Sequence, residues 1–67
     1  MKVFVLSHDQ GVDGGRAIEV FRTESAAVRY MEEQIVPRHR DLKRCGLRWE
    51  AVGDTFLIDE FEVRSKP

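Results

Sequence analysis

The stretch that decides the fold is KVFVLS, residues 2–7. It is rich in β-branched and aromatic side chains and is followed by a run of turn-forming residues, so it predicts a β-strand. Within it Val3 and Val5 point to one face, and Phe4 and Leu6 point to the other. A strand that is apolar on both faces is typical of the centre of a sheet, since a half-solvated strand would alternate between apolar and polar residues.

Three further strands are predicted around one helical segment. Residues 17–22 and 47–51 alternate in polarity and predict strands two and three, and residues 55–63 predict strand four. The glycine-containing residues 8–16 predict a loose hairpin loop, and Gly53-Asp54 predicts the turn before the last strand.

The segment between strands two and three has the period of a helix. Thr23 is placed to cap its first turn. Pro37 removes an amide donor, so the helix is predicted to kink or stop near Val36 and to resume from Arg38 to Cys45, with Gly46 as its C-terminal stop. The apolar positions that repeat with the helical period are Ala27, Val28, Met31, Ile35 and Leu42.

These elements predict a single α+β domain over residues 1–67, in the order ββαββ, with residues 64–67 as a frayed tail. The two most apolar strands, one and four, are expected in the centre of a four-stranded, mostly antiparallel sheet. The expected strand order is 2-1-4-3, with a parallel central pair joined by a right-handed crossover through one long, proline-kinked helix.

The composition argues against several classes of function. The 67 residues include 11 basic and 12 acidic side chains, so no strong net field draws the chain to nucleic acid or to anionic lipid. One cysteine permits no internal disulfide, and no zinc-ligand spacing is present, so no metal and no cofactor are expected. Without a membrane-length apolar run or a signal-peptide core, the expected location is the cytoplasm, with no membrane partner.

One helix can cover only one face of a sheet whose central strands are apolar on both faces. We therefore expect a homodimer or a partner protein on the second face, and the sequence leaves open which apolar set faces the helix. An alternative is that Tyr30, Trp49 and loop 8–16 fold over that face. The predicted protein interface consists of Val3, Val5, Phe56, Ile58 and Trp49.

Two charged clusters are candidate binding sites. The predicted second helical part, with Arg48 just beyond it, carries a basic patch, which would bind phosphates if it met nucleic acid and would otherwise be a solvated helix end. The predicted fourth strand, with Asp54 just before it, carries an acidic patch that is a candidate for acid–base chemistry. Its simpler interpretation is protection of a sheet edge or the rim of an interface. The basic patch is Arg38, His39, Arg40, Lys43, Arg44 and Arg48, and the acidic patch is Asp54, Asp59, Glu60 and Glu62.

His8-Asp9, at the end of the first strand, is a further candidate for acid–base chemistry or for a metal pair. Only His39 and scattered carboxylates are available to complete such a site. We therefore predict no catalytic residues and no small-molecule substrate.

Three segments resemble a family of small uncharacterised proteins of bacteria and their phages. The family pattern is VL-x-H, then IGVFSSEEEA, then DGFIIDEYEV. The counterparts in this chain are residues 5–8 (VLSH), 18–27 (IEVFRTESAA) and 54–63 (DTFLIDEFEV), together 24 of the 67 residues. The resemblance implies the ββαββ order and no established activity. Residues 37–49 depart from the family pattern.

The function predicted from these observations is that of a small non-enzymatic accessory or inhibitory factor. It would be of phage or bacterial origin and would bind a host protein, as a homodimer or through its open face. The alternatives are a nucleic-acid-binding regulator that uses residues 38–48 and a small enzyme with a His8/Asp9 site.

Overall fold

The computed structural model describes residues 1–11, 15–39 and 41–64. The strands are β1 (Lys2–Asp9), β2 (Gly15–Phe21), β3 (Lys43–Cys45), β4 (Arg48–Ala51) and β5 (Asp54–Glu62). Helix α1 (Glu24–Tyr30) continues into a π-helical turn (Met31–Ile35) and a 3₁₀ turn (Val36–Arg38). The predicted α+β class is confirmed. Arg64 is exposed coil, and residues 65–67 of the predicted tail lie outside the described residues.

The sheet differs from the prediction in strand number, order and direction. It has five strands in the order β2-β1-β5-β4-β3, where four strands in the order 2-1-4-3 were predicted. Its central pair, β1 and β5, is antiparallel where a parallel pair was predicted. All the other pairings are antiparallel as well.

The extra strand, β3, forms because the helical segment ends at Pro37. The helix begins as predicted, because the Thr23 Oγ1 accepts a hydrogen bond from the Ala26 amide at 3.1 Å. It ends in the 3₁₀ turn that contains Pro37, and His39 already has an extended backbone. The predicted resumption from Arg38 to Cys45 is wrong, because Lys43–Cys45 forms β3 instead.

This short strand explains the direction of the central pair. In an antiparallel hairpin each added strand reverses the chain once. Because β3 inserts one reversal between the helix and β4, both β4 and β5 run opposite to the direction expected without it. Strand β5 therefore lies antiparallel to β1.

The hydrophobic core lies between the helix and one face of the sheet. On the sheet side it is formed by alternate residues of the central strands, and on the helix side by Ala27 and Met31. Leu42, predicted to lie on the helix, packs against this core from the segment before β3. The buried sheet residues are Phe4, Leu6, Trp49, Phe56 and Ile58.

Two glycines set the tight turns of the second half of the chain. Gly46, predicted to end a helix, lies in the turn between β3 and β4 with φ +64°, and Gly53 lies in the turn between β4 and β5 with φ +83°. A side chain strains the backbone at such angles. Among the described residues, no helix has the length and apolarity needed to cross a bilayer.

Candidate protein-interaction surface

The pairing register assigns each side chain of the central strands to one of two faces. Phe4 lies opposite Glu60 and Leu6 opposite Ile58, and these positions share the face that the helix covers. The intervening residues point the other way, because successive side chains of a strand alternate between faces. We call that second surface the open face: its large apolar residues are Val3, Val5, Val20, Leu57 and Phe61.

None of the apolar residues of the open face belongs to the core or to the partly buried residues packed against it. Val20 is 55% exposed and Phe61 is 50% exposed. Val3, Val5 and Leu57 are partly buried. The smallest dimension of the molecule is 17 Å, which matches one helix layer on one sheet layer. In the described ranges, no helix lies on the open face.

A β-bulge in β2 determines which of its residues reach the open face. Val20 lies opposite Val5 and Ala17 lies opposite Ser7, with a register shift between Leu6 and Ser7. Simple alternation had placed Ala17 and Val20 on opposite faces, so that assignment is wrong. The bulge adds one residue to β2 between these pairs, and both side chains therefore lie on the open face.

The predicted interface residues are divided between the two faces. Val3 and Val5 lie on the open face, as their place in a partner-binding surface requires. Trp49, Phe56 and Ile58 are in the core, with exposures of 1%, 2% and 3%, and are not available to a partner. The residue that accompanies the two valines from β5 is Leu57, because Ser7 pairs with Leu57 on that face.

The predicted alternative, in which the chain covers its own second face, receives no support from Trp49 or Tyr30. Trp49 lies under the helix, and the Tyr30 ring packs against Phe21 at a centroid distance of 5.4 Å. Of loop 8–16, residues 12–14 lie outside the described residues.

One carboxylate, that of Asp59, interrupts the apolar surface. Asp59 pairs with Val5, which lies two residues along β1 from Val3 on the same face. It is partly buried, and no described cation lies within 4 Å of it. A carboxylate that is partly removed from water gains from an opposite charge or a hydrogen-bond donor. The open face therefore has a polar position that a partner can complete.

The basic patch does not form the predicted helical stripe. Alternation along β3 directs Arg44 to the helix side, where its guanidinium lies 5.1 Å from the Trp49 ring centroid and its Nη1 lies 3.4 Å from Glu32. Lys43 and Arg48 point to the open face, where Arg48 lies 3.7 Å from Glu50. Arg38 ends the 3₁₀ turn, and Arg40 lies outside the described residues.

The acidic patch is dispersed as well. Glu60 lies 3.4 Å from the Lys2 Nζ, and Glu62 lies 3.6 Å from the N-terminal amine. Asp54 pairs with His8, and Asp59 lies on the open face. The four carboxylates therefore have separate environments and do not form one site.

His8 finds a different partner from the predicted one. Its Nε2 lies 2.7 Å from the Asp54 Oδ1, and its ring is stacked on Phe56 at 4.2 Å and 5°. His39 approaches the same phenyl ring edge-on at 5.4 Å. Asp9 cannot join His8 because adjacent residues of a strand face opposite sides, and it accepts a hydrogen bond from the Gly11 amide at 2.6 Å instead.

A shallow concavity in the described part of the chain is separate from these histidines. It is an open groove of about 470 Å³ between the start of the helix and the end of β2, lined by Phe21, Tyr30 and Arg29 among others. Within the described ranges, no three His, Cys, Asp or Glu side chains are placed to share a metal ion.

Comparison with known proteins adds no relative: no protein-family model, curated protein or solved structure matches the chain.

Proposed function

We propose that this protein is a non-enzymatic protein-binding factor whose open face is its binding surface. The proposal is based on one observation. The central strands are apolar on both sides of the sheet, and the described helical segment covers only one of these sides. The role predicted from the sequence, an accessory factor that modulates another protein in the cytoplasm, fits a domain whose most distinctive feature is a surface.

Covering the open face would be energetically favourable. Burying one exposed apolar side chain of the size of Val or Phe contributes about 1.5–3 kcal/mol. Phe61 and Val20 are each half exposed, and neighbouring strands continue the apolar surface through Val3, Val5 and Leu57. A partner that covered this area would gain several such contributions from one flat surface. Scattered single apolar residues would offer no such gain.

The edges of the open face supply polar contacts. Lys43, Arg48 and Glu50 lie on β3 and β4 at one side, and Asp59 lies within the apolar area. An apolar centre with charged residues around it is the usual anatomy of a protein-binding surface.

The test compares two substitutions that place a cation on the open face with one that does not. Val5→Lys and Phe61→Lys should abolish the binding of proteins that the wild type captures from its own cells. Val52→Lys should leave that binding intact, because Val52 is fully exposed in the turn between β4 and β5. Quantitative mass spectrometry of the captured proteins is the measurement, and circular dichroism checks that each variant folds.

The proposal fails if all three variants capture the same proteins in the same amounts as the wild type. It also fails if Val52→Lys is as damaging as the substitutions on the open face, since the effect would then not belong to that surface.

The alternative of nucleic-acid binding requires the basic side chains to form one surface, and their positions in the fold do not favour this. Its basic side chains lie on two faces of β3 and β4, and Arg44 is already engaged with Trp49 and Glu32. The enzyme alternative keeps a His–Asp pair, but that pair is stacked on the core residue Phe56 and lies away from the described groove. We assign the pair to stability.

A further inference from the structure

We infer that the partner on the open face is a second copy of this chain, and that Asp59 of each copy binds Arg48 of the other. This inference rests on the proposed function and makes it specific. The product is a four-layer dimer, helix–sheet–sheet–helix, in which the two open faces pack about 10 Å apart.

The charges of the open face are complementary to themselves. Asp59 lies on β5, within the apolar area, and Arg48 lies on the adjacent strand β4, opposite Leu57. Within one chain the Arg48 guanidinium is directed to Glu50, and no described cation lies within 4 Å of Asp59. A two-fold axis between the faces relates contacts in pairs, so one Asp59–Arg48 contact generates a second.

A second copy also suits the size of the chain. A domain of this length buries a small core and commonly gains stability by association. A stable interface covers about 800 Å² on each partner, which is about 15% of the 5296 Å² of this chain's surface. One side of a five-stranded sheet in a molecule of 45 × 26 × 17 Å offers an area of that order.

The arrangement accounts for the polar residue in the apolar face. A partly buried carboxylate opposite an apolar surface would lose hydration without compensation. Opposite Arg48 of the second copy it gains an ion pair, and Leu57, the cross-strand neighbour of Arg48, lies next to the same axis.

The first measurement is the mass in solution, by light scattering after size exclusion and by sedimentation equilibrium from micromolar to submillimolar loading. The expected result is a species of twice the 7.8 kDa chain mass, in exchange with the monomer. Asp59→Arg and Arg48→Asp should each raise the dimer dissociation constant at least about tenfold, since each creates two like-charge contacts.

The decisive experiment mixes the two single variants. At positions 48 and 59 the first variant presents two cations and the second presents two carboxylates, so neither matches itself at these positions but each matches the other. Mixing them should restore a dimer that contains one chain of each kind, which native mass spectrometry identifies by mass. Arg29→Asp is the control: it reverses an exposed cation of helix α1, on the other side of the sheet from the open face, and should leave self-association almost unchanged.

A wild type that remains monomeric at every loading overturns the inference. So does a dimer that is insensitive to both substitutions, or a mixture that fails to form the mixed dimer. The proposed function survives any of these results if Val5→Lys and Phe61→Lys still abolish capture of a different protein. It falls separately if no captured protein depends on the open face.

Discussion

The His8 imidazole is held between two residues of β5: its Nε2 lies 2.7 Å from the Asp54 carboxylate, and its ring is stacked on Phe56. The pair joins the end of β1 to the start of β5. The side chains of His8 and Asp54 are 21% and 30% exposed, so water screens their interaction only in part.

We expect His8→Ala to lower the free energy of unfolding by about 1–3 kcal/mol, because it removes both the hydrogen bond and the ring stacking. His8→Phe should lose less, since the stacking on Phe56 remains. Urea unfolding followed by circular dichroism is the measurement.

Arg29→Ala is the control for this prediction, because its ion pair with Glu33 is exposed and should contribute no more than about 0.5 kcal/mol. If His8→Ala lowered the free energy of unfolding no more than Arg29→Ala does, the His8–Asp54 pair would have no structural role. The assignment of His8 and Asp54 to stability would then be wrong.

Arg44 offers a second test, because its guanidinium lies over the single tryptophan of the chain. Arg44→Gln removes the cation above the ring and the hydrogen bond to the Gly46 carbonyl, so we expect a loss of about 1 kcal/mol and a changed Trp49 emission. Fluorescence during urea unfolding measures both effects in one experiment.

Lys43→Gln is the matched control on the same strand, since its side chain points to the open face. Its tryptophan emission should equal that of the wild type. An equal response of Trp49 to both substitutions would contradict the assignment of Arg44 to the helix side of β3.

Gly53 and Gly15 allow a comparison of the same Gly→Ala substitution at a positive φ and at an ordinary φ. Gly53 has a φ of +83°, and a Cβ there would meet nothing within 4 Å, so Gly53→Ala is opposed only by the backbone conformation. We expect it to lose about 1–2 kcal/mol of stability.

Gly15→Ala should not be destabilising in this way. Its backbone is not in the positive-φ region, and the added Cβ would meet the Ser7 Cβ at 3.8 Å, an ordinary contact distance. Thermal unfolding of the two variants checks the contrast. Equal losses would show that the turn at Gly53 does not need a left-handed residue.

Local chemistry made much of the fold predictable. Thr23 marks the start of the helix because its hydroxyl binds an amide of the first turn, and Pro37 marks its end because it has no amide hydrogen. The two-faced apolar pattern of residues 2–7 identified a central strand. The prediction for the segment after Pro37 is wrong, since Leu42 continues the helical period but lies in the coil before β3 and packs on the core from there.

The candidate surface was only half predictable. Alternation separates Val3 and Val5 from Phe4 and Leu6 but does not say which set the helix covers. It also does not say which residues of β5 accompany each set. The pairing register of β1 and β5 determines both. Leu6 pairs with Ile58, so Phe56 and Ile58 belong to the core, whereas Leu57 lies with the two valines on the open face.

The chain's own residues determined the class of fold, the first turn of the helix and the presence of a sheet with two apolar sides, because these depend on propensity and period over a few neighbouring positions. Only the tertiary structure decided the direction of β5, the partner of His8 and the isolation of Asp59 on the open face. Each of these depends on how distant strands align, and a single added strand or bulge changes that alignment without altering any local pattern.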